Sequence, residues 1–252
     1  LGHFLIEDLS VLQMALDAGA RPVEVFYCES QLPGSIAPVL LAIIRQTGAE
    51  MVAVSPYVME ALAELDIPQG IVATFRLFES SLPDLSAAGR KLFVVLDRLQ
   101  DPGNMGTLIR TADAVGAAAV VLIEPCVDPF GPRTVRGSMG SLFNVPLVRM
   151  SDVSALFAWF QKNGFCVVGT DARRGQTWGD GLWAGNVAMV LGNEARGLSS
   201  DVRPFVDAWA RLPIVGKAES LNVAVAGGVL MYAWLRADLG EQSGRQERAA
   251  CT

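Results

Sequence analysis

Apolar positions along this chain switch repeatedly between helical spacing and short uninterrupted runs. FLIEDLSVLQMALDAG (residues 4–19) repeats them at helical spacing and stops at Gly19, which predicts a helix. VEVFYC (23–28) predicts a strand, SIAPVLLAIIRQTG (35–48) a helix and MVAV (51–54) a strand. PYVMEALAEL (56–65) reads as a helix opening on a proline, and GIVATFRL (70–77) as a strand. Together they predict a small α/β layer domain over residues 1–78.

Residues 79–90, ESSLPDLSAAGR, carry Ser, Pro and Gly without apolar periodicity and read as a linker. A richer segment follows at 91–240. KLFVVLD (91–97) has the continuous apolar run of a strand buried on both faces. A helix is predicted over 104–116, then strands at AAVVLI (118–123), NVPLVRM (144–150), FCVVGT (165–170) and NVAMVLG (186–192). A strongly apolar helix runs from about 220 to 238, and the polar residues 241–252 are expected to fray. Strands alternating with helices imply an α/β fold with a mostly parallel sheet.

Composition narrows the chemistry. The chain is 51% hydrophobic and 18% charged, a globular balance. Its four cysteines, Cys28, Cys126, Cys166 and Cys251, are scattered and form no C-x-x-C pair, so packing thiols are expected rather than disulfides or a metal site. The only histidine is His3, which removes histidine as a general base in the body of the chain. The longest apolar run, at 221–235, falls short of the roughly 18 residues of a membrane span. No membrane association and a cytoplasmic location are expected. Net charge is −6, but it is unevenly spread: residues 1–85 hold three basic residues (Arg21, Arg45, Arg76) against eleven acidic ones. The net charge argues against a nucleic-acid partner, but the remainder is slightly positive, so any RNA footprint is to be sought there.

Open parallel sheets bind ligands at the carboxyl ends of their strands, so the strand exits hold the candidates. The first is LDRLQDPGNMGTLIRTADAVGA (96–117). Asn104 or Thr107 can cap the helix there, and Arg110 follows among apolar neighbours, where a charge needs a partner or a ligand. The second is VLGNEARGLS (190–199), in which two glycines flank Asn193, Glu194 and Arg196. It matches neither a dinucleotide fingerprint nor a phosphate-binding P-loop. The third is LPIVGKAESLNVAVAGGVLMYAWL (212–235), with Ser220 as a natural helix cap, Asn222 entering an apolar helix, and small residues that admit close packing.

Taken together, these three segments resemble the three sequence motifs of the SpoU branch of the SPOUT methyltransferases, and DPFGPRTVRGSMGSLFNVPL (128–147) is similar to the stretch between the first two. The resemblance covers roughly residues 91–237. FLIE (4–7) and IPQGIVA (67–73) resemble, less specifically, that family's ribosomal-protein-like substrate-binding domain. The third motif departs from the family's usual Ile-Pro-Met by reading Leu212-Pro213-Ile214, and the first domain lacks the Gly-x-Arg that often follows its Phe-Leu-x-Glu.

The resemblance implies a trefoil-knotted catalytic domain, S-adenosylmethionine as cofactor, an RNA substrate and a homodimer with a composite active site. It implies cofactor contacts from the backbone of Gly192, Leu212 and Leu221, with Thr170, Asn193, Ile214 and Ala224 lining the pocket. It names Arg110 as the catalytic residue, with Asn104, Glu194, Ser220 and Asn222 positioning it and the ribose. No metal is required, because the methyl donor is already a sulfonium. The activity implied is 2′-O-ribose methylation of RNA, with ribosomal RNA favoured over transfer RNA. A non-catalytic RNA-binding or assembly factor with a relict cofactor pocket is the competing reading. A dinucleotide-dependent enzyme lacks its glycine fingerprint.

Overall fold

The computed structural model describes residues 2–34, 36–65, 67–85, 89–178 and 181–250, with side chains described as far as Ala237. The first strand, β1 (His3–Ile6), corrects the expectation of a helix beginning at Phe4. The helix α1 spans only Leu9–Asp17, because Asp8 caps it, its carboxylate accepting from Ser10 N and Val11 N. A short apolar run preceding a helix has no period of its own, so the two elements fused in the pattern.

Then follow β2 (Glu24–Tyr27), α2 (Ile36–Gln46), β3 (Glu50–Ala53), α3 (Pro56–Leu62) and β4 (Ile71–Arg76). They form a four-stranded sheet in the order β1-β4-β2-β3, antiparallel except for the β2–β3 pair.

The second sheet has seven strands, in the order β7-β6-β5-β10-β8-β11-β9, and every pairing in it is parallel. Its first strands are β5 (Leu92–Asp97), β6 (Ala119–Ile123) and β7 (Leu147–Met150). β8 (Phe165–Thr170), β9 (Gln176–Thr177), β10 (Asn186–Leu191) and β11 (Ala208–Arg211) complete it. The helices are α4 (Pro102–Ala114), α5 (Pro132–Ser138), α6 (Val153–Lys162) and α7 (Val223–Ala250). The helix α7 thus continues beyond residue 238, where the apolar pattern stops. β11 was not legible: four residues, AWAR, carry too little pattern.

Period two divides each central strand between two cores. Leu92, Val94 and Leu96 face one cluster with Val120, Leu122, Met189 and Leu191. Phe93 and Val95 face the other with Val121, Ile123, Ala188 and Val190. The first cluster runs without a break into Ile6, Leu12, Leu40 and Ile71 of the N-terminal sheet. The seam between the two sheets is aromatic: Phe4 lies 5.0 Å from Phe130 and 6.2 Å from Phe143, and Phe78 lies 5.1 Å and 5.8 Å from the same two rings. Gly140, with φ +82°, belongs to this seam, since a Cβ there would stand 2.4 Å from the Cβ of Met14. The connecting segment is strapped down as well. Ser80 N donates to Leu147 O, and Leu82 and Leu85 pack on the second core. Its residues 86–88 lie outside the described ones.

Phe4→Ala removes a ring that touches four others, two of them across the seam. We expect a loss of about 3–5 kcal/mol in urea unfolding, the usual cost of a deleted core ring. A loss below about 1 kcal/mol would show that the seam is not a packed core.

Candidate active site

The strand order reverses between β5 and β10, where neighbouring parallel strands leave the sheet toward opposite sides. Such a switch point opens a crevice beyond the carboxyl ends of the strands. β5 ends on Asp97, fully buried, whose Oδ2 accepts from Ser199 N at 2.6 Å. Arg98 follows in the left-handed region, φ 56°, and its carbonyl accepts from Asn193 Nδ2 at 2.9 Å. That bond ties the exit of β5 to the exit of β10. Beyond β10, Asn193 and Gly197 exchange backbone hydrogen bonds, closing a tight hairpin. Gly192 is obligatory at its base, because a Cβ there would meet the Gly197 carbonyl carbon at 2.3 Å and Leu198 N at 2.5 Å.

The start of α4 corrects the expected caps. Asp101, not Asn104 or Thr107, caps the helix by accepting from Asn104 N at 2.7 Å, and Pro102 takes the first helical position. Thr107 instead donates to Gly103 O. This frees the Asn104 side chain. Its Nδ2 donates to Glu194 Oε1 at 3.1 Å, and its Oδ1 accepts from Asn222 Nδ2 at 2.9 Å. Asn222 is itself the cap of α7, its Oδ1 accepting from Ala224 N and Val225 N, so the role expected of Ser220 falls two residues later. Glu194, Asn104 and Asn222 form one hydrogen-bonded frame drawing on all three strand-exit segments.

Beside this frame lies a cavity of about 690 Å³, bounded by the exits of β8, β10 and β11 and by residues 219–223. Of the residues named for a cofactor, Thr170, Gly192, Asn193, Leu212, Ile214 and Leu221 line it. Ala224 does not; it is buried in the core, and Ala226 and Leu230 form that part of the wall. Glu194, Ser220 and Asn222 also line it, whereas Asn104 reaches it through Glu194 and Asn222. Arg196 at its margin was named with its loop but given no role, and Arg173, Arg203 and Arg211 there were not named. No spacing in the sequence marked them, because they meet only when three strand exits converge.

Arg110 stands apart, exposed on α4, and makes no hydrogen bond or ion pair among the described residues. The carboxylate one turn on, Asp113, accepts instead from Asn144 Nδ2 at 2.9 Å. The neighbouring Thr111 faces Gly228 on α7. The nearby thiol of Cys126 is no nucleophile: burial, reinforced by the negative charge of Glu124 and Asp97, pushes it up to about 11.

A parallel α/β sheet with a ligand-sized cavity at its carboxyl edge, framed by polar side chains from three motifs, defines an α/β domain built to bind a small molecule at its switch point. The chain belongs to the SpoU rRNA Methylase family, whose model matches residues 91–232; the MRM3-like substrate binding domain matches residues 1–73. It is 33% identical over 230 residues to the 23S rRNA (guanosine(2553)-2′-O)-methyltransferase RlmP of Bacillus subtilis, covering 91% of this chain and 87% of that relative. The crystal structure of the SpoU methyltransferase AviRb from Streptomyces viridochromogenes, in complex with the cofactor AdoMet, superposes with a TM-score of 0.82 at 28% identity, covering 95% and 92% of the two chains. The AdoMet-bound rRNA methyltransferase from Sinorhizobium meliloti gives 0.80 at 32% identity, covering 94% and 88%.

Gly192→Ala is expected to force the hairpin away from Gly197 and to cost about 1–3 kcal/mol, the usual price of overpacking. Chemical denaturation of the variant beside Gly216→Ala, which has open space for its methyl and no left-handed backbone, separates crowding from the general cost of replacing glycine. Equal losses would contradict the close approach.

Proposed function

We propose that this chain transfers a methyl group from S-adenosylmethionine to a ribose 2′-hydroxyl of RNA, ribosomal RNA in preference to transfer RNA. The observation that carries the reading is the cavity with its attached frame. At about 690 Å³ it falls within the roughly 300–1,000 Å³ of small-molecule sites. Its wall pairs an apolar side, Leu212, Ile214, Leu221 and Leu230, with charges of both signs. That combination suits a flat purine joined to a zwitterionic amino acid. Thr170, Asn193 and the backbone around Gly192, Leu212 and Leu221 would hold the cofactor. When bound, it supplies a methyl group already activated on a sulfonium.

The chain's own residues then have two tasks, to orient the 2′-hydroxyl and to manage its proton. A guanidinium offers N–H donors and no acceptor, so Arg110 serves as a donor and not as a base. It holds the phosphate next to the target ribose and stabilises the developing alkoxide. Glu194, the substrate phosphate or a water takes the proton. The bonds from Asn104 to Glu194 and Asn222 fix that carboxylate, and Ser220 stands beside it on the cavity wall. Holding the partners in line supplies much of the acceleration.

The reading includes a homodimer. Val225, Val229 and Tyr232 recur on one face of α7, with 55%, 37% and 54% of their surface exposed, an apolar stripe that a second copy would cover. The helix α4, which carries Arg110, borders this stripe, because its Thr111 packs beside Gly228. A twofold contact there offers Arg110 to the partner's cavity. The knot of the family fold is also part of the reading: the chain leaves β11, returns across the sheet edge, and bonds Asn222 to Asn104 at the exit of β5. A cytoplasmic location accompanies an RNA substrate, and among the described residues no helix is long and apolar enough to cross a membrane.

Arg110→Ala should leave S-adenosylmethionine affinity within a few-fold in calorimetry, yet slow methyl transfer to rRNA by roughly a hundredfold or more, as when one preorganised donor is lost. Arg110→Lys should recover little, since a point charge cannot replace the planar fork. Turnover near wild type in Arg110→Ala would remove Arg110 from the reaction.

A further inference from the structure

The N-terminal domain, residues 1–78, carries a charge of 3 − 9 = −6, which is unfavourable for a polyanion. The fold nonetheless gathers two of its three arginines. Arg21, just beyond α1, and Arg76, at the end of β4, line one cavity of about 460 Å³ at the seam between the two sheets. Neither has an ion-pair or hydrogen-bond partner among the described residues, and no carboxylate lines the cavity. Its apolar side is aromatic: Phe78 and Phe143, both half-buried, with Phe75 behind them. Phe143 adjoins Asn144, whose amide donates to Asp113, and Asp113 lies three residues from Arg110 on α4. Residues three apart share a helix face, so Phe143 is linked through Asn144 and Asp113 to the face of α4 that carries Arg110.

We propose that this cavity is a nucleotide subsite. It holds one unpaired nucleotide of the RNA strand, the base against Phe78 and Phe143 and the flanking phosphates on Arg21 and Arg76. Guanidinium groups suit phosphate oxygens, and a half-exposed aromatic ring accepts any base by stacking. The strand held here leads to Arg110. The acidic domain therefore grips RNA at one point and repels it elsewhere, which favours a splayed single strand over a duplex lying across the domain. This inference rests on the proposed RNA substrate, but it uses none of the residues assigned to cofactor or chemistry.

The test uses full-length protein and deproteinised bacterial large-subunit rRNA, with binding measured from about 50 to 200 mM salt. The double variant Arg21→Gln/Arg76→Gln should bind roughly tenfold more weakly and lower the salt slope by about one to two, as expected for two lost phosphate contacts. Arg45→Gln removes the third arginine, which stacks on Tyr27 away from the cavity, and should change neither. Arg21→Lys/Arg76→Lys should keep the slope. Phe143→Leu should weaken binding about fivefold or more without changing the slope. S-Adenosylmethionine binding, measured on the same preparations, should be unaltered throughout. An unchanged slope in the double variant, an equal effect of Arg45→Gln, or no rRNA binding by the wild-type protein would overturn the subsite. Loss of cofactor binding by the wild-type protein would instead overturn the methyltransferase reading.

Discussion

Two parallel strands that leave a sheet side by side must be kept at a fixed separation if anything is to bind between their exits. Here one side chain sets that spacing. Asn193 donates from Nδ2 to the Arg98 carbonyl, while its Oδ1 accepts from Ala195 N and Arg196 N within its own hairpin. One side chain thus shapes its own hairpin and ties it to the exit of β5. Below it the buried Asp97 takes Ser199 N, a second tie between the same two exits. The left-handed backbone of Arg98 is what turns its carbonyl toward Asn193, at the modest cost such a conformation carries outside glycine. Remove these ties and neither the cavity nor the Glu194–Asn104–Asn222 frame has a defined width.

The frame in turn depends on helix ends. Asp101 capping α4 leaves the Asn104 side chain free to reach outward, and Asn222 spends its oxygen on α7 and its nitrogen on Asn104. Capping and site building are here the same hydrogen bonds. Small residues complete the arrangement. Gly106 meets Gly137 backbone on α5, and Gly227 meets Leu108 and Leu191, so α4 is clamped between α5 and α7 with little freedom to shift Arg110. On its other side, the segments flanking α5 carry Phe130 and Phe143 into the aromatic seam. The N-terminal domain is thus coupled to the helix bearing Arg110 through packed rings.

Much of this was legible in the amino-acid sequence. The central strands announced themselves as apolar runs because both faces are buried, and the polar residues after them marked the switch-point exits. The merging of β1 with α1 illustrates a limit: FLIE suits strand or helix alike, and the Asp8 cap that divides them is a polar residue like many others. The Asp-Pro pair at 101–102 did carry a helix-start signal, which Asn104 obscured by being an equally good cap. Ala224 shows another limit. Which face of α7 meets the cavity depends on how the helix is rotated, and a helix apolar nearly all round does not encode that. The convergence of Arg21 with Arg76 was invisible, since it follows from β2 pairing with β4 inside the first sheet, and the second sheet adds Phe143 only when the two mate.

In the proposed homodimer, Arg110 completes the site of a second copy. Arg110→Ala protein, which keeps its cavity, is mixed with Gly192→Trp protein, which keeps Arg110, after melting curves establish that both fold. Subunits are allowed to exchange, and transfer of labelled methyl groups to rRNA is followed. Random pairing makes half the dimers mixed, each with one intact site, so turnover should rise to about one quarter of wild type from two nearly inactive preparations. Activity no greater than the sum of the two variants measured separately would contradict a shared site and would return Arg110 to its own subunit's cavity.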